Sequence, residues 1–251
     1  MKNIFVTLVV FYALLVLAMY AFQRHFMYFP RSASDVYGEM NTAFTVDGTQ
    51  LSGWTLNEGH TRALIYYGGN AESIEANIPL FKALLPHYTV YLIPYRGYGN
   101  NPGTPTERVL YSDALKIFES VKNRHDSVSL MGRSLGTGIA TYVAANRQVD
   151  KLILVTPFDS VENVAKDIYW MLPVSWLIKD RYLSSGRVKD ITAQTYVFIA
   201  EKDRVIPRAR TDQLVAEFGD QLVEVFVITG AGHNTISNFP AYVSDLKRVL
   251  N

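Results

Sequence analysis

Cysteine is missing altogether from this 251-residue chain. Its absence excludes disulfide bonds, thiolate metal sites and a cysteine nucleophile, and leaves the redox compartment open. An excess of one charge is missing too. The 24 Lys and Arg stand against 23 Asp and Glu, with no basic tract and no stripe of Lys/Arg interleaved with aromatics, so no nucleic-acid partner is expected. Histidine is scarce: the 5 histidines lack metal-ligand spacing and form no H-E-x-x-H, so no metal is expected. The glycine pair in Tyr66-Tyr67-Gly68-Gly69-Asn70 lacks both the Gly-Lys-Ser/Thr ending of a Walker loop and the G-x-G-x-x-G of a dinucleotide site, so no cofactor is expected. What the chain does have is 49% hydrophobic and only 19% charged residues. That is enough apolar material for a sizeable core in one α/β domain or two small ones, and disorder is not expected.

Part of that apolar material is a run without charge or proline, "IFVTLVVFYALLVLAMYAF", from Ile4 to Phe22. As a helix it spans roughly 28 Å, close to a bilayer's hydrocarbon thickness. Phe26, Tyr28 and Phe29, between Arg24 and Arg31, suit a membrane–water interface. Residues 1–25 are therefore expected to be a single-pass membrane anchor. The alternative is a signal peptide cleaved after Val16-Leu17-Ala18 and a secreted product, although the run continues past that site. Lys2 and the terminal amine balance Arg24 and Arg31, so the side of the membrane stays open.

After this segment, "TAFTV-DGTQ-LSGWTL" pairs two alternating runs across Asp47-Gly48, a hairpin signal. Apolar strands then alternate with amphipathic stretches: "RALIYY" with a helix through "SIEANIPLFKALL", "YTVYLIPY" with one through "TERVLYSDALKIFESV", and "SVSLM" with "SLGTGIATYVAAN". "KLILV" precedes an irregular insertion. "QTYVFIA" precedes "RARTDQLVAEF", and "VEVFVI" precedes "AYVSDLKRVL". The expected architecture is α/β, a mostly parallel sheet opened by an antiparallel hairpin, with helices on both faces. The insertion, about 157–192, contains Trp170, Met171, Trp176 and Leu177. It is either a helical excursion that completes the core or a substrate-facing lid, and these four residues are its candidate substrate contacts.

In an open parallel sheet, ligands bind beyond the carboxyl ends of the strands. Ser134 follows "SVSLM" between Gly132 and Gly136, whose missing Cβ atoms allow a sharp strand-to-helix turn. Asp203 follows "QTYVFIA", and His233 follows "VEVFVI" in a glycine-flanked loop. Asp159 is the reserve acid. His25 belongs to the membrane flank, His60 to a turn, and His87 and His125 to the opposite end of the sheet. A serine hydroxyl needs an imidazole to accept its proton, and the imidazole needs a carboxylate to orient it. A tetrahedral oxyanion needs fixed donors, which the backbone N–H groups of Leu135 and of the first strand–helix loop can supply. Arg96 and Asp113 read as structural. Arg133, Glu201 and Arg204 flank the candidate residues, either as contacts to a charged substrate or as solvated neighbours.

Five stretches, "YYGGNAES", "YRGYGNNPGTPTE", "GRSLG", "EKDRVIP" and "GAGHNTI", together resemble the α/β-hydrolases. The match is to the membrane-anchored serine hydrolases related to protein depalmitoylases and monoacylglycerol lipases. The resemblance implies an α/β-hydrolase domain over 26–251 with a short cap at about 157–192. It implies Ser134 as nucleophile, Asp203 as acid, His233 as base, and Asn70 and Leu135 as backbone oxyanion donors. The family usually has histidine where this chain has Gly68. The expected function is hydrolysis of a carboxylic ester or thioester, of a lipid or an acylated protein, through an acyl-Ser134 intermediate. A peptidase or amidase with the same triad, and a catalytically silent membrane-tethered binding module, are the alternatives.

Overall fold

The computed structural model describes residues 2–250. The apolar run lies within one 26-residue helix, α1 (Lys2–Met27), with no buried residue. An 18-residue window within it has a mean hydropathy of 2.6, and its length and composition are sufficient to cross a membrane. Arg24 and His25 occupy its last turn, and Tyr28 just beyond is buried with its hydroxyl 2.9 Å from that of Tyr182.

The hairpin pairs β1 (Thr42–Val46) with β2 (Thr49–Leu56), and the register Val46↔Thr49 leaves Asp47 and Gly48 as the turn. Both have positive φ, 48° and 73°, the backbone that a two-residue hairpin turn of the matching twist requires. The remaining strands are β3 (Arg62–Tyr67), β4 (Thr89–Leu92), β5 (Ser127–Arg133), β6 (Lys151–Val155), β7 (Gln194–Ala200) and β8 (Leu222–Ile228). They form one eight-stranded sheet in the order β1-β2-β4-β3-β5-β6-β7-β8. β2 runs antiparallel to both its neighbours, and every other pairing is parallel.

Alternation along the strands divides the core between two faces. Ala63, Ile65 and Tyr67 of β3 pack on the side covered by α3 (Glu107–Lys122) and α4 (Leu135–Asn146). Leu64 and Tyr66 pack on the side covered by α2 (Ile78–Leu84) and by α8 (Pro240–Leu250), the last helix of the chain. Parallel strands buried on both sides need apolar residues at nearly every position, which is why β6 reads Leu-Ile-Leu-Val after its first lysine.

Two elements differ from expectation at their ends. The helix expected through 73–85 is a 3₁₀ turn at Ile74–Asn77 followed by α2. Pro79 explains the break, because a residue with fixed φ and no N–H fits only a first helical turn. β4 stops at Leu92, ahead of Pro94, which has no N–H for a ladder.

Between β6 and β7 lie α5 (Val161–Ile168), α6 (Val174–Leu177) and a 3₁₀ turn at Ser185–Asp190. α7 (Arg208–Ala216) follows β7. The loops after β3, β5, β7 and β8 gather at one edge of the sheet.

Candidate active site

β5 reaches that edge at Arg133, and α4 begins at Leu135. Ser134 alone makes the turn, at φ 50° and ψ −120°, a backbone that a non-glycine residue holds only under strain. The flanking glycines are required by space. A Cβ on Gly132 would stand 2.4 Å from the Gly136 carbonyl oxygen, and one on Gly136 would stand 2.0 Å from that of Tyr67. β3, β5 and the start of α4 therefore approach closely enough to hold the strained turn.

The Ser134 Oγ lies 2.9 Å from Nε2 of the buried His233, and His233 Nδ1 lies 2.7 Å from Asp203 Oδ2. The other Asp203 oxygen accepts the backbone N–H groups of Val205 and Ile206 at 2.8 and 2.9 Å. Burial pushes the Asp203 carboxyl up. The hydrogen bond and charge of His233, with those two N–H groups, outweigh it and hold the group below its ordinary value. An ionised carboxylate only accepts, so Nδ1 carries the proton and Nε2 offers its lone pair to the serine hydroxyl. Such a hydroxyl can pass its proton to the imidazole as it attacks a carbonyl carbon.

Asp159 stands elsewhere. It is fully buried, accepts from the Ser160 N–H and Asn163 Nδ2, and pairs with Arg210 at 3.2 Å, fastening the start of α5. Arg96 holds Asp113 in a two-pronged pair at 2.9 and 2.7 Å. Glu201 accepts the Gly230 N–H, and Arg204 is exposed.

A histidine side chain at position 68 has no room, since a Cβ there would lie 2.4 Å from Ile74 Cγ2. A carboxylate that no sequence motif singles out fills the neighbourhood. Glu72 accepts from the Gly69 N–H at 2.6 Å, from the Tyr66 hydroxyl at 2.8 Å and from Asn77 Nδ2 at 2.8 Å. Arg133 reaches Glu72 at 3.4 Å and the His233 carbonyl at 3.2 Å. Burial opposes the Arg133 charge, yet Glu72 beside it keeps the guanidinium above its ordinary pKa. Arg133 thus ties three loops together behind the serine. The loop of Gly68, Gly69 and Asn70 is pinned further. Tyr95 and Tyr98 donate to the carbonyls of Gly68 and Asn70, both at 2.7 Å, and Asn70 Nδ2 donates to the Met27 carbonyl at 2.7 Å. The one signal for Glu72 in the sequence is a glutamate four residues after the glycine that replaces the expected histidine.

A cavity of about 650 Å³ opens above Ser134 and His233, with Asn70 and Leu135 also in its wall. That size lies within the range of small-molecule sites. The insertion contributes Val161, Val164, Ala165 and Ile168 from α5, spaced i, i+3, i+4, i+7 along one helix face. Of the four expected contacts only Leu177 lines the cavity. Trp170, Met171 and Trp176 are exposed outside it. Composition points to the large aromatics, whereas the helical phase of the smaller aliphatics selects the wall. Among the described residues no cluster of three His, Asp or Glu is arranged to hold a metal ion.

The family model of the alpha/beta hydrolase fold matches residues 62–182. An uncharacterized protein of Mycobacterium tuberculosis is 33% identical over 229 residues, which cover 84% of this chain and 80% of that protein. The lysophosphatidylserine lipase ABHD12 of Bos taurus is 35% identical over 167 residues, 57% of this chain and 42% of that protein. Among solved structures, the Pyrococcus furiosus esterase Pf2001 aligns with a TM-score of 0.72 and 18% identity, over 89% of this chain and 98% of that one. At that identity the likeness speaks for the fold. With sheet order, strained serine turn and relatives in agreement, the chain belongs to the α/β-hydrolase superfamily of hydrolases.

Proposed function

We propose that this protein is a serine hydrolase that cleaves a carboxylic ester of a lipid through an acyl-Ser134 intermediate. The observation that carries the reading is the juxtaposition of the Ser134–His233–Asp203 chain of hydrogen bonds with an apolar cavity of acyl-chain character. Every residue that the insertion gives to the cavity wall is apolar or aromatic, which favours an aliphatic chain over a peptide.

In the first half-reaction, Ser134 Oγ bonds to the carbonyl carbon while its proton passes to His233 Nε2. Asp203 stabilises the imidazolium that results. The backbone N–H groups of Asn70 and Leu135, both in the cavity wall beside Ser134, are the proposed donors to the oxyanion. His233 then gives its proton to the departing alcohol as the ester bond breaks. In the second half-reaction, water loses a proton to His233 and attacks the acyl carbon, releasing the acid and returning the proton to Ser134. The lysophosphatidylserine lipases among the relatives favour a lipid ester over an acylated protein.

Labelling with a fluorescent fluorophosphonate, alongside turnover of nitrophenyl butyrate, tests the reading. Ser134→Ala is expected to abolish labelling and to lower kcat by roughly 10⁴-fold or more, and Asp203→Asn and His233→Ala to lower it by roughly 10²–10⁴-fold. A folded wild type that neither labels nor turns over any ester would overturn it.

A further inference from the structure

The hydrogen bonds and cavity lining also join α1 to the catalytic domain. Met19, Gln23, Phe26 and Met27 of α1 line the cavity that holds Ser134. They are spaced i, i+4, i+7 and i+8, one stripe of the helix. The stripe ends at the Met27 carbonyl, which accepts from the Asn70 side chain at 2.7 Å.

The insertion climbs the same helix. Asp180 pairs with Arg24 at 2.8 Å, and Gln23 bonds to the Leu177 carbonyl and the Lys179 N–H at 3.0 and 2.7 Å. Twelve residues nearer the N-terminus, Tyr12 donates to the Met171 carbonyl at 2.7 Å. From Arg24 to Tyr12 the helix rises ~18 Å, comparable with one leaflet's hydrocarbon depth. Polarity falls along that climb, from the Arg24–Asp180 pair at the base to Met171 beside Tyr12, and the cap's Trp170, Met171 and Trp176 are 78%, 64% and 89% exposed. These apolar side chains continue the unburied apolar surface of α1, and water does not favour a patch of that extent.

We infer that α1 and the α5–α6 cap form one leaflet-immersed unit, and that the substrate's acyl chain enters sideways from the bilayer between them, with α1 as a wall of the acyl site. The inference rests on the lipid-ester reading for its substrate, while the immersion of the cap stands apart from it.

Two measurements on the full-length chain in phosphatidylcholine vesicles test these parts separately. Brominated phosphatidylcholine is expected to quench the tryptophan emission of the wild type. It should not quench Trp170→Phe/Trp176→Phe, which keeps only Trp54, buried and bonded to the Gly38 carbonyl. Unquenched wild type, or equal quenching of the double variant, overturns the immersion. Unquenched tryptophans in a concentration-dependent dimer would mean that a second copy covers the patch, and that also overturns it.

Met19→Trp is expected to lower kcat/KM for nitrophenyl hexadecanoate in the vesicles roughly tenfold more than it lowers that for nitrophenyl butyrate. Met19→Ala should shift the chain-length profile towards longer or bulkier chains, and Leu8→Trp, far along α1 from the cavity, should leave it unchanged. A profile unaltered in Met19→Ala, or in a folded Met19→Trp, makes α1 a mere tether and overturns its role as a wall. A folded wild type that neither labels with the fluorophosphonate nor turns over either ester would instead sink the serine-hydrolase reading, with the quenching result still standing.

Discussion

Gly132 and Gly136 are held at the serine turn by the space around them. Replacing either with alanine forces a Cβ into backbone atoms, and a backbone contact of 2.0 Å at position 136 has no flexible side chain to yield. Gly136→Ala is expected to destabilise the fold by ~3 kcal/mol, read as a lowered urea midpoint. Glu72 acts on the neighbouring loop. Glu72→Gln keeps the shape but loses the charge that Arg133, Tyr66 and the Gly69 N–H converge on. Turnover is expected to fall by roughly 10–100-fold with KM little changed, as steady-state kinetics on nitrophenyl butyrate will report. Asp203 carries a pH signature. Its carboxyl is held below the ordinary carboxylate value in the folded state, so its contribution to stability is full above the unfolded pKa of about 3.9. That contribution is lost as pH falls through the lower folded value. Unfolding followed across the acid range should therefore be steeper in pH for the wild type than for Asp203→Asn.

Among the elements, the hairpin and α3 are fastened by chemistry that a local reading sees only in part. Asp47-Gly48 is a local signal and a local structure. The Arg96–Asp113 pair spans from the loop after β4 to the middle of α3, and Arg96 Nη1 also reaches Thr49 Oγ1 at 2.7 Å. Both partners are largely buried, with side chains 14% and 7% exposed. Arg96→Ala would leave Asp113 buried without its counter-charge, at a cost of ~3–5 kcal/mol that a denaturant titration can measure. α5 makes the complementary point. Its stripe of Val161, Val164, Ala165 and Ile168 is visible in the sequence as a helical period, but which surface the stripe faces depends on where β6 delivers the chain and on the Asp159–Arg210 pair that holds its start.

At the scale of the whole molecule, α1 is joined to the hydrolase domain by an ion pair, by side-chain bonds from Gln23 and Tyr12, and by the Tyr28–Tyr182 contact. Retained as a membrane segment, it should keep the full chain with the membrane pellet through an alkaline carbonate wash and release it only in detergent. Appearance of the protein in the carbonate supernatant, shortened by the first residues, would support cleavage at the signal-type site instead.

The alternation of apolar strands with helices, the turn at Asp47-Gly48, and the order in which Ser134, Asp203 and His233 follow their strands are all legible along the chain. Hydrophobic period and turn chemistry are local properties, and a parallel sheet with right-handed crossovers brings its strand ends to one edge without further instruction. Packing in three dimensions sets the rest: His233 meets Asp203 while Asp159 binds Arg210, Glu72 occupies the surroundings of Gly68, and the cavity is walled by small aliphatics of α5 and by α1 instead of by the tryptophans. Those outcomes depend on distances between residues far apart in the chain, such as Arg133 and the His233 carbonyl, 100 positions apart, or Gln23 and the Leu177 carbonyl, 154 apart. Packing sets such distances, and no spacing within a segment encodes them.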